Sequence, residues 1–84
     1  MVTQQLRLLR LPHVLDKTGV SKTVFYKEIR EGLFTPPLPL VGTRTSTWPE
    51  HEVDAIIAAS IAGKNKEETR ALVSSLLEQR GAAA

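Results

Sequence analysis

The chain lacks cysteine altogether, and it also lacks long apolar runs. Without cysteine there is no disulfide bond and no thiolate chemistry, which fits a reducing cytoplasm. No segment reaches the roughly 18 consecutive apolar residues that a membrane-spanning helix needs. The first ten residues have no apolar stretch followed by a small-residue cleavage site, so we expect no secretory signal peptide. These absences predict a cytoplasmic protein without a membrane segment.

Groups that perform catalysis are equally scarce. The two histidines, His13 and His51, have no cysteine to complete a zinc site, which needs several convergent ligands. The sequence contains no P-loop, no GxGxxG motif and no recognisable pair of nucleophile and base. Aromatic residues make up 5% of the chain, too few for a surface that stacks RNA bases. We therefore expect no enzyme, no metal and no cofactor.

The composition is that of a soluble protein whose charge is unevenly distributed. Apolar residues make up 42% and charged residues 24%, and 84 residues provide room for one core. Residues 1–48 carry seven basic side chains against three acidic ones, whereas residues 49–84 carry four against six. A basic N-terminal half is typical of a protein that binds a polyanion, although an ordinary solvated surface could show the same charge.

Two short helices joined by a tight turn are predicted in the basic half. The first covers residues 12–18, because proline suits the first turn of a helix and Gly19 can end it in the left-handed conformation. Ser21 is a preferred N-cap for the second, residues 22–31, which Gly32 terminates. The arrangement matches a helix-turn-helix, a motif whose spacing also occurs in helix hairpins that bind no DNA.

The second helix has a basic arc and an apolar arc. At about 100° per residue, its basic and hydroxyl-bearing side chains share an arc of about 140°. They are Lys22, Thr23, Tyr26, Lys27 and Arg30. Val24, Phe25 and Ile29 lie on the opposite arc, which predicts that this side is buried. Glu28 interrupts the apolar arc, so we expect it at the edge of the buried stripe or paired with a basic neighbour.

A β-hairpin is predicted next. Residues 35–39 contain too many prolines for a helix. The β-prone segments 38–41 and 45–48 flank Gly42-Thr43-Arg44, and Pro39 restricts the first segment to a sheet edge. Arg44 is expected at the tip of this wing.

Two further helices are predicted in the acidic half. Pro49 opens the first, whose early turns carry Glu50, Glu52 and Asp54, where the helix dipole favours negative charge. Its apolar face consists of Val53, Ile56, Ile57 and Ile61. Gly63 ends this helix.

The last helix is predicted to begin after a capping box. Asn65 and Glu68 have the spacing of such a box, and the helix runs to about Arg80, before Gly81 terminates it. Its apolar stripe consists of Leu72, Val73, Leu76 and Leu77. The stripe either packs back on the domain or binds a second subunit. We therefore separate residues 1–62, the main unit, from residues 63–84, the C-terminal helix and its frayed tail.

Residues 7–62 together resemble a known family. The resemblance rests on an ordered series of segments: 7–15, 18–34, Pro37, 40–44, Trp48 and 52–55. The series resembles the AlpA-type phage regulators, relatives of MerR-like winged-helix proteins and phage excisionases. It implies a mostly α fold with a small β-hairpin wing, a winged helix-turn-helix plus a C-terminal helix. Val41 stands where the family usually has a lysine, so one phosphate contact is expected to be missing.

The resemblance implies a cytoplasmic prophage-type protein that binds double-stranded DNA. The candidate contacts are Ser21, Lys22, Thr23, Tyr26, Lys27, Arg30, Arg44 and Thr45. We expect Lys22, Thr23 and Lys27 near bases in the major groove and Arg30 on a phosphate. Tyr26 either contacts a phosphate or packs on the wing. The wing is expected on the adjacent groove or backbone, where a narrow minor groove attracts arginine.

Three functions remain open at this point. The first is transcriptional regulation, and the second is a directionality factor that bends attachment-site DNA for an integrase. The third is a protein-interaction adaptor that uses the winged fold without DNA. An integrase or RNA polymerase is a candidate partner, and a homodimer or cooperative array through residues 66–80 would raise affinity through effective concentration.

Overall fold

The computed structural model describes residues 6–39, 42 and 44–82. Their elements, in chain order, are β1 (Leu8–Arg10), α1 (Leu11–Thr18), α2 (Lys22–Arg30), β2 (Leu38–Pro39), β3 (Ser46–Pro49), α3 (Glu50–Ile61) and α4 (Lys66–Ala82). The predicted winged helix-turn-helix with a C-terminal helix is confirmed. Residues 40, 41 and 43 of the predicted hairpin lie outside the described residues. Within the described ranges, no helix is both long and apolar enough to span a membrane.

The wing belongs to a three-stranded antiparallel sheet in the order β1-β3-β2. Leu9 of β1 lies opposite Trp48 of β3, and Leu38 of β2 lies opposite Thr47. The edge position predicted for the strand that contains Pro39 is confirmed. The sequence analysis did not predict the pairing of β1 with β3, which makes β3 the central strand rather than half of an isolated hairpin.

Local capping signals place the two helices of the helix-turn-helix. Gly19 has φ 72° and its N–H donates to the Leu15 carbonyl at 2.8 Å, which ends α1 as predicted. The Ser21 hydroxyl accepts a hydrogen bond from the Val24 N–H at 3.2 Å, so the predicted N-cap is confirmed. Helix α2 ends at Arg30, one residue before the predicted end.

An aromatic cluster joins α2 to the wing. The Phe25 ring lies edge to face against Phe34 at 4.8 Å and against Trp48 at 5.2 Å between centroids. Phe25 is fully buried, as predicted, and so is Trp48. The indole N–H of Trp48 donates to the Thr35 carbonyl at 3.0 Å. Because offset and edge-to-face aromatic pairs are directional as well as apolar, the cluster fixes the angle at which α2 meets the sheet.

Two predictions for α3 and α4 are wrong. Ile61 is 83% exposed instead of lying on the buried face with Val53. At about 100° per residue it is rotated by about 80° from Val53, and the last turn of α3 leaves the core. Gly81 does not end α4, which continues to Ala82. The reason is that Arg80 anchors this last turn to α3.

Helix α4 packs on the same core as the other elements. The predicted capping box is present, since the Glu68 N–H donates to Asn65 Oδ1 at 2.8 Å and the Asn65 N–H donates to Glu68 Oε1 at 3.1 Å. Val73 and Leu76 are buried in the cluster that contains Phe25. These two residues of the α4 stripe are therefore covered by the chain itself.

A buried ion pair between α3 and α4 was missed by the sequence analysis. Glu52 is fully buried, and its carboxylate accepts hydrogen bonds from Arg80 Nε at 2.8 Å and Nη2 at 2.7 Å. Arg80 Nη2 also donates to the Pro36 carbonyl at 3.0 Å. A two-point contact of this kind satisfies both oxygens of a carboxylate that water cannot reach. Glu52 thus belongs to the core, in addition to lying in the dipole-favoured first turn of α3.

Glu28 lies at the edge of the buried stripe, as predicted. It lines a pocket that is walled in part by Val20, Leu33 and Ile57. Burial, and then the neighbouring charge of Glu31, raises the pKa of Glu28 above its usual value of 4.5. Among the described residues no basic side chain pairs with it.

We expect Arg80→Ala to lower the free energy of unfolding by about 3 kcal/mol or more, because it leaves the Glu52 carboxylate buried without a partner. Urea denaturation followed by circular dichroism measures this loss. Glu78→Ala, at an exposed position on the same helix, is the control and should change stability by at most about 0.5 kcal/mol. Equal losses in the two variants would contradict a structural role for the ion pair.

We expect Glu28→Gln to stabilise the protein at pH 7. A carboxyl whose pKa is raised by folding contributes stability that is lost as the pH rises through its folded-state pKa. Glutamine removes that loss, so the advantage of the variant should disappear well below pH 4.5, where the glutamate is protonated in both states. Thermal unfolding midpoints at pH 7 and pH 3.5 measure the difference, and an advantage of equal size at both would refute this explanation.

Candidate nucleic-acid interface

The exposed surface of α2 carries the predicted basic arc. Lys22, Thr23, Lys27 and Arg30 are exposed, while Phe25 on the opposite side is fully buried. An α-helix fits the major groove of B-DNA with one face turned to the bases. The buried arc is narrower than predicted, because Val24 is 44% exposed.

Tyr26 brings α2 next to the wing. It is half-buried and lines an open depression together with Arg44 and Thr45, which precede β3, and Ser46, the first residue of that strand. Its ring also lies edge to face against Phe25, with centroids 5.8 Å apart. The rest of the depression is formed by Arg10, Leu11 and Pro12. The structure therefore places the phenol of α2 and the wing arginine around one concave surface.

Ser21 lies at the N-terminal end of the basic arc of α2. Its oxygen is occupied by the cap bond to Val24, but the residue itself is exposed. The first backbone N–H groups of a helix have no partner inside the helix and carry a partial positive charge. The partial positive charge of these N–H groups therefore adds to the ammonium charge of Lys22 at this end of α2.

Ion pairing divides the basic side chains into two groups. The ion pairs are Arg7–Glu50, Lys17–Glu50, Lys17–Asp54, Lys64–Glu68 and Arg80–Glu52, with N···O distances of 2.6–3.8 Å. Lys22, Lys27, Arg30 and Arg44, by contrast, form no ion pair with any residue that the structure describes. Four of the seven described basic side chains outside these ion pairs thus lie on α2 and the wing; the other three are Arg10, Lys66 and Arg70.

Lys17 shows that a count of basic residues along the sequence does not give the positive charge of the folded surface. It counts toward the basic half of the sequence, yet its ammonium lies 2.6 Å from Asp54 Oδ1 and 3.1 Å from Glu50 Oε2. Both hydrogen bonds raise the pKa of Lys17 above 10.5, and the one to Asp54 makes the larger contribution. The acidic residues early in α3 therefore bind α1 and neutralise Lys17. No pattern within a single helix signals this pairing.

The described residues contain no cluster of three or more histidine, aspartate or glutamate side chains that could hold a metal ion. The depression beside Tyr26 is open and wide rather than an enclosed cleft. Such a surface suits contact with a large, extended ligand better than the enclosure of a small one.

Comparisons with known proteins agree with the motifs of the sequence. The family model described as prophage CP4-57 regulatory protein (AlpA) matches residues 7–61, a stretch that contains every element from β1 to α3 and also all eight candidate contacts. The chain is also 38% identical, over 65 residues, to the uncharacterized protein ORF88 of Enterobacteria phage P4, a match that covers 77% of this chain and 72% of the relative. No solved structure matches the chain. The predicted resemblance is confirmed, and the chain belongs to the AlpA family of prophage regulatory proteins.

Proposed function

We propose that this protein is a sequence-specific regulator of transcription that binds double-stranded DNA. Helix α2 lies in the major groove, and the wing contacts the adjacent groove or backbone. The observation that carries the proposal is the charge distribution on the folded surface. Lys22, Lys27, Arg30 and Arg44 share the side formed by α2 and the wing, and none of them pairs with a described acidic residue. Basic side chains on such a face release counter-ions when they bind phosphates.

The position of each side chain on α2 suggests its role. Lys22 and Thr23 lie in the first turn, which is the part of a recognition helix that faces base edges. Lysine can donate to guanine, and the threonine hydroxyl can bond either kind of base. Lys27 follows one turn later on the same exposed arc. Arg30 lies in the last turn, closer to the groove wall, where a phosphate contact is expected.

The wing supplies the second contact. Arg44 is exposed, and Thr45 lies beside it in the depression that Tyr26 also lines. An arginine that enters a narrow A·T-rich minor groove gains from its concentrated negative potential. Tyr26 lines the same depression as Arg44, and we expect its hydroxyl to contact a phosphate between the major-groove and wing contacts. Helix and wing together would cover a longer site than α2 alone.

Lys27→Ala combined with Arg30→Ala should weaken binding to duplex DNA by on the order of tenfold or more at low salt. The plot of log affinity against log salt should also become shallower by about 0.9 for each phosphate contact that is lost. Fluorescence anisotropy with a labelled duplex at several salt concentrations measures both quantities.

Lys66→Ala is the matched control for this double variant. Lys66 is an exposed lysine without an ion pair among the described residues, but it lies at the start of α4 and belongs neither to the basic arc of α2 nor to the wing. Its removal should leave affinity and salt slope nearly unchanged. An effect of Lys66→Ala about half as large as that of the double variant, in proportion to the one charge removed, would mean that binding follows net charge alone. Absence of salt-dependent binding by the unmodified protein would favour a protein-interaction adaptor.

Lys22→Ala should relax sequence preference, whereas Arg30→Ala should weaken all sequences about equally. The difference follows from their contacts, since bases carry sequence information and phosphates position the protein. Selection from a randomised duplex library with each variant tests this. The assignment of roles would be wrong if Arg30→Ala changed the selected motif and Lys22→Ala did not.

A further inference from the structure

The connector between α2 and the wing, residues 31–37, is held by side chains from distant parts of the chain. Arg70 Nε donates to the Glu31 carbonyl at 2.9 Å, across 39 residues of sequence. The Trp48 indole donates to the Thr35 carbonyl at 3.0 Å, and Arg80 Nη2 donates to the Pro36 carbonyl at 3.0 Å. Two of these three donors belong to α4. The last helix thus binds the connector near both of its ends.

Arg70 makes its contact at the C-terminal end of α2. Glu31 is the C-cap of that helix, and carbonyl groups at this end lack partners within the helix. A guanidinium here also interacts favourably with the negative end of the helix dipole. The next residue, Gly32, has φ 75°, and a Cβ built on it would lie 3.8 Å from Arg70 Cγ. The aliphatic part of Arg70 therefore lies across the turn that leaves α2.

The two arginines are joined by rigid backbone. They are separated by ten residues of α4, which corresponds to about 15 Å along a helix axis. Val73 and Leu76 anchor the intervening turns in the core. A shift of the connector would require Arg70, Arg80 or the whole helix to move with it. All of α4 lies beyond residues 7–61, the part of the chain that the family model matches.

We infer that α4 holds the DNA-binding surface in a fixed arrangement and that Arg70 is a positioning residue within α4. By holding the connector, α4 keeps α2 and the wing in one relative orientation, so that both meet DNA at once. The inference rests on the proposed function. Without the Arg70 contact, the two elements would have to be ordered during binding, and the lost freedom would reduce affinity.

Arg70→Met tests this role, because it keeps most of the aliphatic stem over Gly32 but removes the donor to Glu31. At a temperature where the variant is fully folded, affinity for a selected duplex should fall by on the order of fivefold. The salt slope should stay unchanged, since no phosphate contact is lost. Arg70→Lys, which retains a charged donor, should recover part of the affinity, and Lys66→Met should have no effect.

Two results of this titration would overturn the inference. A salt slope that becomes shallower by about 0.9 would show that Arg70 itself contacts a phosphate. A lower melting temperature with unchanged affinity would show that Arg70 contributes to stability alone.

A second measurement needs no DNA and therefore separates this inference from the proposed function. The chain has no cysteine, so the exposed positions Val24 and Ser46 can be replaced by cysteine and spin-labelled uniquely. The distance distribution between the labels reports how α2 is placed relative to the strand of the wing. Arg70→Met should broaden it, and Lys66→Met should not. An unchanged width of the distance distribution would refute the positioning role of α4 even if DNA binding were established. A broader distribution would support that role even if DNA binding failed.

Discussion

The placement of the basic arc of α2 depends on the burial of one side chain, Phe25. It projects from the side of α2 opposite the basic arc and contacts Phe34 in the connector and Trp48 in the central strand. Because the three rings interlock edge to face, α2 cannot rotate without separating them. Burial of Phe25 therefore determines that Lys27 and its neighbours face solvent. A smaller residue at this position would leave a cavity and loosen the orientation as well as the core.

Ion pairs within the fold determine which charged side chains remain without a partner. The acidic residues early in α3 bind basic side chains of neighbouring elements, as Asp54 binds Lys17 and Glu52 binds Arg80. The negative charge of α3 is thereby used within the fold, whereas the basic side chains of α2 and the wing have no ion-pair partner among the described residues. Glu28 is the exception on α2, and its partial burial on the flank away from Tyr26 keeps its charge off the basic arc. The net charge of the chain, only +2, therefore understates the local positive charge of this surface.

The features that sequence predicted correctly are local. Caps such as Ser21 and the Asn65 box involve residues three positions apart, and the arcs of α2 follow from helical periodicity, so both can be read directly along the chain. The features that it missed join distant residues: β1 with β3, and Glu52 with Arg80. The same limit explains Gly81, where an anchored last turn outweighed the tendency of glycine to end a helix. For the candidate site, the composition of the arc could be predicted, but its closeness to the wing required the tertiary structure.

The way α4 is bound also restricts how copies of this chain could associate. A dimer through the Val73 and Leu76 stripe would have to lift α4 from its own core. That step would separate Arg80 from Glu52 and leave a carboxylate without a partner, a loss of about 3–5 kcal/mol before any new contact forms. Leu77, which is 37% exposed, lies on the part of the stripe that the core leaves accessible. Copies that bind neighbouring DNA sites would therefore meet through surfaces that leave α4 in place, and the shared duplex would supply the effective concentration that weak contacts need.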